Sequence, residues 1–178
     1  MEKRFEKIPF LMAAIVFFIS GCQGNKSGVL LNTVSLPEQV VKNFSLDKYN
    51  MAEQQWSFHA LRADVYEKRG RIDAVNIKMK FYDDNRVASV ISADKAVMDT
   101  NTGDIKAAGS VVMVSMLKST TLYADSMNYN SKAGKISSDS FIRQEKDDVL
   151  ITGRGLEAAA DLSEATILSK VKVVKKLK

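Results

Sequence analysis

Cysteine and histidine are nearly absent from this chain, with one of each among 178 residues. The lone Cys22 rules out an internal disulfide. The lone His59 leaves no second imidazole for a metal pair, and a general base needs positioned partners that its strand-like surroundings do not offer. Few stretches carry the 3.6-residue period of an amphipathic helix. The formal charge is +5. The lysines behind it are scattered and become dense only in Lys170–Lys178, so the basic stripe of a nucleic-acid reader is missing. Gly153-Arg154-Gly155 is too short for a phosphate-binding loop. These absences exclude a disulfide scaffold and argue against a metalloenzyme, a nucleic-acid binder or any enzyme, and they call for no cofactor.

What is present is a repeat. Ala93-Asp94 sits in an apolar strand start, and so do Ala63-Asp64 and Ala124-Asp125. Ile151–Leu156 aligns with Leu122–Met127. The step is about 30 residues, and Gly103 and Gly134 keep it, as do Ile105 and Ile136. Alternating apolar residues within each unit predict one β-hairpin used about four times. The clearest strand is Val75–Tyr82. Its period of two predicts Val75, Ile77, Met79 and Phe81 on one face and Asn76, Lys78, Lys80 and Tyr82 on the other. Turn chemistry follows at Asp83-Asp84-Asn85. Val87–Ala93 with Ile105–Met116, Leu122–Tyr129 with Lys135–Gln144, and Val149–Leu156 with Ala165–Val174 form the later pairs. Val111–Val114 is apolar on both faces and predicts burial on both. Glu157–Glu164 has helical propensity, but the repeat places it at a turn. Because Asp94 and Asp125 recur with the repeat, they read as framework rather than as a catalytic carboxylate pair. About eight to ten strands in consecutive hairpins predict an all-β antiparallel sandwich, jelly roll or open barrel.

The N-terminal stretch reads as delivery. Lys3, Arg4 and Lys7 precede the apolar run Ile8–Ile19, which is short of the roughly 20 residues that a spanning helix takes. Small residues and Cys22 follow. This resembles the lipobox of bacterial lipoproteins, which implies a signal peptide over 1–21 and a lipid on Cys22. Two lipid signals suffice for stable membrane anchoring. The polar, glycine-bearing segment that follows reads as a tether over 22–36, ahead of a β-domain over 37–178. Leu30–Leu46 reads as an arm or edge strand, since Pro37 forbids a central strand at that point. Asp47–Gln55 reads as polar linker, and the sheet proper is expected to start at Trp56.

In order along the chain stand Trp56, Phe58 and Ala60, then Ala63 and Tyr66, then the strand ending Phe81-Tyr82 at an acidic turn. Ile91 and Ala93, Gly109 and Val111, and Leu122, Ala124, Asp125, Met127 and Tyr129 follow. Ile136–Asp139 and Ile151, Gly153, Gly155, Leu156 and Ala158 close the series. In order and spacing this resembles the LptC family, over about Pro37 to Val174. Departures are the lipobox in place of an uncleaved transmembrane helix, Asn85 where glycine is common, no glycine in Leu117–Thr120, and Ser140 where proline is common.

The resemblance implies an open, OstA-like β-jelly roll with an apolar groove. It also implies a carrier without an active site, which accepts lipopolysaccharide from the permeases of an inner-membrane ABC transporter and passes it to a periplasmic jelly-roll bridge protein. The expected place is the periplasmic face of the inner membrane. Gln23 after the cysteine is the residue type that sorts some lipoproteins to the outer membrane instead. For the groove, the expected lipopolysaccharide-binding residues are Val75, Ile77, Met79, Phe81, Val111, Met113, Leu122, Ile136 and Ile142. Each has core packing as its competing role. Lys78 and Lys80 are candidates for lipid phosphates against a solvated outer face. The first strands near Trp56 are expected to meet the transporter. The bridge protein is expected on the last strand, at Ile167, Val171 and Val173, where alternation with lysine marks a protected edge. The competing function is an envelope scaffold lipoprotein of the same hairpins with no lipid cargo.

Overall fold

Hairpin follows hairpin through Leu36–Lys175, the residues described by the computed structural model. The expected signal peptide, Cys22 and all but the last residue of the expected tether lie outside them. The strands are β1 (Gln39–Asn50), β2 (Glu53–Tyr66), β3 (Arg71–Asp83), β4 (Arg86–Asp99), β5 (Ile105–Ser115), β6 (Thr120–Asn130), β7 (Lys135–Lys146), β8 (Val149–Ala159) and β9 (Ala165–Lys175). They form one antiparallel sheet in strict chain order, β1 to β9. The expected all-β jelly roll is therefore present, as an unclosed sheet of nine strands. The only helical element among the described residues is the 3-10 turn Glu67–Arg69.

Local chemistry accounts for the turns. Asp84 and Asn85 both take positive φ, at 47° and 57°, as the tightest hairpin connection requires. Asn85 serves in this turn because its short amide tolerates this region. Glu157–Glu164 is the end of β8 and a turn, as the repeat predicts. The polar stretch Asp47–Gln55 is not a linker. It closes β1, turns at Met51-Ala52 and opens β2. The sheet therefore starts one strand earlier than the apolar alternation suggests.

A seam crosses every strand. Inward-facing neighbours normally lie two residues apart, yet Ala60 and Ala63, Ala74 and Ile77, and Ala93 and Ala96 are buried pairs three apart. Register breaks between β4 and β5, β5 and β6, β6 and β7, β7 and β8, and β8 and β9 fall on the same line. Positive φ at Asn43, Asn76, Gly109, Ser110, Gly155 and Lys170 marks it along the chain. These are bulges, and bulges bend strands.

The seam is a fold line. Phe81 of β3 and Tyr129 of β6 have ring centroids 4.8 Å apart, although three strand spacings within a flat sheet would separate them by about 14 Å. Ser89 of β4 donates its hydroxyl proton to the Ala160 carbonyl after β8, and Lys118 after β5 donates to the Ser163 carbonyl. Because the strands run antiparallel, the two partners of each pair lie on opposite sides of the seam. The sheet is thus folded over along its seam into two facing layers with one shared core. Near the fold line the layers converge, and the inward residues are small: Ala60, Ala63, Ala74, Ala93, Ala96 and Ala124. Away from it they diverge, and Trp56, Phe58, Met79, Phe81, Met98 and Tyr129 fill the wedge.

The seam also explains the repeat. Ala93-Asp94, Ala124-Asp125 and Gly153-Arg154 occupy the same place, with the small residue inward and the charged one outward. Ala63-Asp64 does not. The equivalent pair in β2 is Ala60-Leu61, three residues earlier. Asp94 folds over Gly109, where a Cβ would lie 2.6 Å from its Oδ2.

Candidate functional site

The two layers do not close at the β1 edge. A cleft of about 740 Å³ lies between them there, within the size range of ligand pockets. Phe44, Leu46, Lys48, Tyr49 and Trp56 line it from one layer, and Ile72, Met98 and the turn Thr100–Gly103 from the other. The local sequence sets this up. In β1, Asn43 takes φ 52° and shifts the side-chain parity, so Phe44, Leu46 and Lys48 pair with the inward Ala60, Phe58 and Trp56. Phe44 meets Phe58 edge-on at 6.3 Å between centroids.

Polar groups stand at the mouth. Lys48 Nζ donates to Ser131 Oγ at 2.6 Å, which ties β1 to the turn between β6 and β7. The Ser131 amide donates to Asp104 Oδ1 at 2.8 Å. Beside them, burial pushes the Tyr129 hydroxyl above its usual range, and the Ser131 side chain pulls it the other way. Deeper, Trp56 is 3% exposed, and its Nε1–H is buried without an acceptor among the described residues.

Eight of the nine expected groove residues are inward. Ile77, Met79, Phe81, Val111, Met113, Leu122, Ile136 and Ile142 are 0–4% exposed and belong to the shared core. Val75 is not among them. It is 46% exposed, because the bulge at Asn76 breaks the alternation between Ala74 and Ile77 and turns Val75 to the outer face. Val112 and Val114 are half-buried rather than fully covered, so β5 is packed on one face only.

Lys78 and Lys80 point outward, in a surface depression of about 500 Å³ shared with Ser45, Ser57 and His59. His59 Nδ1 lies 2.5 Å from Ser45 Oγ there. The lysine at the cleft is Lys48, which the sequence reading placed in a linker. Leu46, Trp56, Ile72 and Met98 were likewise not singled out for the groove. The parity of Trp56 with Phe58 and Ala60 was visible, but which core residues meet an opening depends on how the layers diverge.

At the opposite edge, Ile167 packs against the core. Val171 and Val173 are 54% and 61% exposed. Val173 pairs with Ile151, and the register breaks at Lys170-Val171 opposite Gly153. Both outer edges, β1 and β9, lack a strand partner among the described residues. No cluster of metal-ligating side chains occurs among the described residues. No described helix is long and apolar enough to cross a membrane.

Comparison with known proteins matches this architecture. A crystal structure of LptH from Pseudomonas aeruginosa, described as the LptA-homologous periplasmic component of the lipopolysaccharide transport device, superposes with a TM-score of 0.54 at 8% identity. The superposition covers 68% of this chain and 95% of LptH, and at that identity it speaks for the fold alone. No curated protein sequence matches at a significant level. The family described as lipopolysaccharide-assembly, LptC-related has a model that matches residues 10–176. A match over nearly the whole chain, on a folded-over antiparallel sheet with an opening at one edge, makes this chain a member of the LptC-related family of lipopolysaccharide assembly.

Proposed function

We propose that this chain is a non-enzymatic carrier that receives the acyl chains of lipopolysaccharide between its two layers and hands them on. The observation that carries the reading is the cleft at the β1 edge in a member of this family. Acyl chains need an apolar space out of water. The cleft offers Phe44, Leu46, Ile72 and Met98, and it abuts the core through Trp56, whose register partner is Phe81. Passage further inward takes the lipid along Phe81, Met79 and Ile77, in exchange for contacts the core side chains make with one another. Methionine suits that exchange because it is flexible and polarizable.

The two unpaired edges suit two protein partners. An exposed strand can be continued by a strand of another sheet. In this reading β1 takes the jelly roll of the inner-membrane ABC transporter's permeases, and β9 takes the periplasmic bridge protein at Val171 and Val173. ATP hydrolysis in the transporter supplies the direction of transfer. Residues 1–21 act as a lipoprotein signal peptide, Cys22 carries the lipid, and the tether holds the domain at the periplasmic face of the inner membrane.

The test is site-specific photocrosslinking in cells that make lipopolysaccharide, with the probe placed in turn at Leu46, Met79 and Val75. The carrier reading expects adducts at Leu46 and Met79 that vanish when the transporter is deprived of ATP, and none at Val75. A folded protein with no adduct at either inward position would instead leave an envelope scaffold without lipid cargo.

A further inference from the structure

We infer that Trp56 is the residue that reads the polar root of a bound acyl chain, donating its indole N–H to an ester or amide carbonyl. The inference rests on the carrier reading and adds to it the group recognised and the depth at which it sits.

A buried tryptophan usually finds an acceptor for its N–H. A buried polar group without one calls for an explanation. Trp56 is such a group: 3% exposed, and without an acceptor for Nε1 among the described residues. Its ring also lines the cleft at the β1 edge. Nε1 lies beneath that surface, so a carbonyl meets it through the same exchange of core contacts by which an acyl chain passes inward. A fold that needed only apolar filling there would be served by phenylalanine, which carries no donor to satisfy.

The surroundings narrow the chemistry. Around Trp56 the cleft is walled by Phe44, Leu46, Ile72 and Met98, and its charged lining residues are Lys48 and Asp47. Asp47 pairs with Ser57 on the alternate face of β1 and accepts from Gln54 Nε2 at 3.2 Å, which leaves Lys48 as the charge on the inward face. Lys48 is the direct register partner of Trp56 on β1, so the two side chains leave the same face of the strand pair. Lys48 is only half-buried and reaches the rim at Ser131. An ammonium has three donors, and one is spent on Ser131. An anionic group is best served at that rim, where charge keeps some water. The neutral indole N–H suits a neutral acceptor. A molecule that fits both has an apolar tail, a carbonyl at its root and an anionic group a few bonds further out.

Two lipids separate the carbonyl from the anion: 1-acyl-glycerol-3-phosphate and its 1-O-alkyl ether analogue, with matched tails and the same phosphate. Each is titrated below its micelle threshold into the full chain, and binding is read by calorimetry. Trp56 is the only tryptophan of the chain, so its emission reports the same event at the proposed atom. We expect the acyl lipid to bind about tenfold more tightly than the ether, the worth of one hydrogen bond. Trp56→Phe should erase the difference. So should replacement of Trp56 by benzothienylalanine, which keeps the shape and puts sulfur in place of N–H, in case the smaller ring disturbs the core. Lys48→Met should weaken both lipids alike.

Equal affinities in the native chain would overturn the inference, and so would a preference that survives both replacements at Trp56. If neither lipid binds while the lipopolysaccharide adduct at Leu46 persists, the inference fails and the carrier reading stands. If the adduct is missing as well, both fail together.

Discussion

Phe81 and Tyr129 meet across the two layers, ring centroids 4.8 Å apart and planes inclined by 60°. They belong to strands three apart in the sheet, so the contact exists only because the sheet is folded over. It pins the layers where the wedge is widest. Phe81→Ala should therefore cost about 3–5 kcal/mol, the usual range for a buried phenylalanine. Urea unfolding followed by circular dichroism measures this. In a double-mutant cycle with Tyr129→Ala, a coupling of about 0.5–1.5 kcal/mol is expected for the aromatic pair. Strict additivity would mean the rings touch without holding the layers together.

Tyr129 also makes stability depend on alkali. Burial raises its hydroxyl above the ordinary value of 10.0. Above that pH the unfolded chain loses this proton while the folded chain keeps it, so the unfolded state binds fewer protons and stability falls as pH rises. The contribution is fully present below pH 10.0 and is lost as pH climbs toward the folded value. Unfolding free energies at a series of pH values from 8 upward should show a decline beginning near 10 that is shallower in Tyr129→Phe. Equal slopes would assign the decline to other groups.

Gly109 and Gly134 both take positive φ, at 81° and 65°. Only at Gly109 would a Cβ collide, lying 2.6 Å from Asp94 Oδ2, whereas nothing lies within 4 Å at Gly134. Gly134→Ala should cost about 1–2 kcal/mol from backbone strain alone. Gly109→Ala should cost more, and Asp94→Ala in the same chain should recover the excess. The test is thermal and urea unfolding of these three variants beside the native chain. Equal costs at the two glycines would remove the Asp94 contact from the account of the seam.

Val75 and Ile77 are two residues apart yet face opposite ways, one 46% and the other 4% exposed. Val75→Lys should leave stability within about 0.5 kcal/mol, as a surface change does. Ile77→Lys puts an unpaired charge into the core and should cost more than about 3 kcal/mol. Denaturant midpoints of the two variants decide it. A severe effect of Val75→Lys would restore unbroken alternation in β3.

The strands were legible because their signals are local: alternation, acidic turns and glycines at a step of about 30 residues. The seam was not. Asn76 looks like an ordinary outward residue in Val75–Tyr82, and nothing in its neighbours announces the positive φ that moves Val75 to the outside. Up to Leu46 the edge strand was legible as one of two readings beside an arm, and β1 is that edge strand. Its end was taken for linker because Asp47, Lys48 and Asn50 break the apolar pattern, yet an edge strand has one side free and tolerates them. The eight inward groove residues were legible as a face but not as core or opening. That distinction depends on how far the layers diverge, which is set by side chains on different strands, small at the fold line and large at the rim.

Strict chain order of the nine strands has a consequence for how the molecule is made. Each strand pairs with the one just synthesised, so every closure is a hairpin, and hairpins form in about 1–10 μs. No strand waits for a distant partner, which keeps the sheet's hydrogen-bonded pairings local and favours fast folding. Growth can run from β1 toward β9 in the direction in which a chain is delivered. At every stage the newest strand presents a row of unpaired amides and carbonyls, the kind of edge on which chains aggregate. In the finished sheet that last position belongs to β9, guarded by Lys170, Lys172 and Lys175. A chain cut short before Ala165 ends instead on β8, whose Val149-Leu150-Ile151 run has no lysine among it, so premature termination exchanges a protected border for an adhesive one.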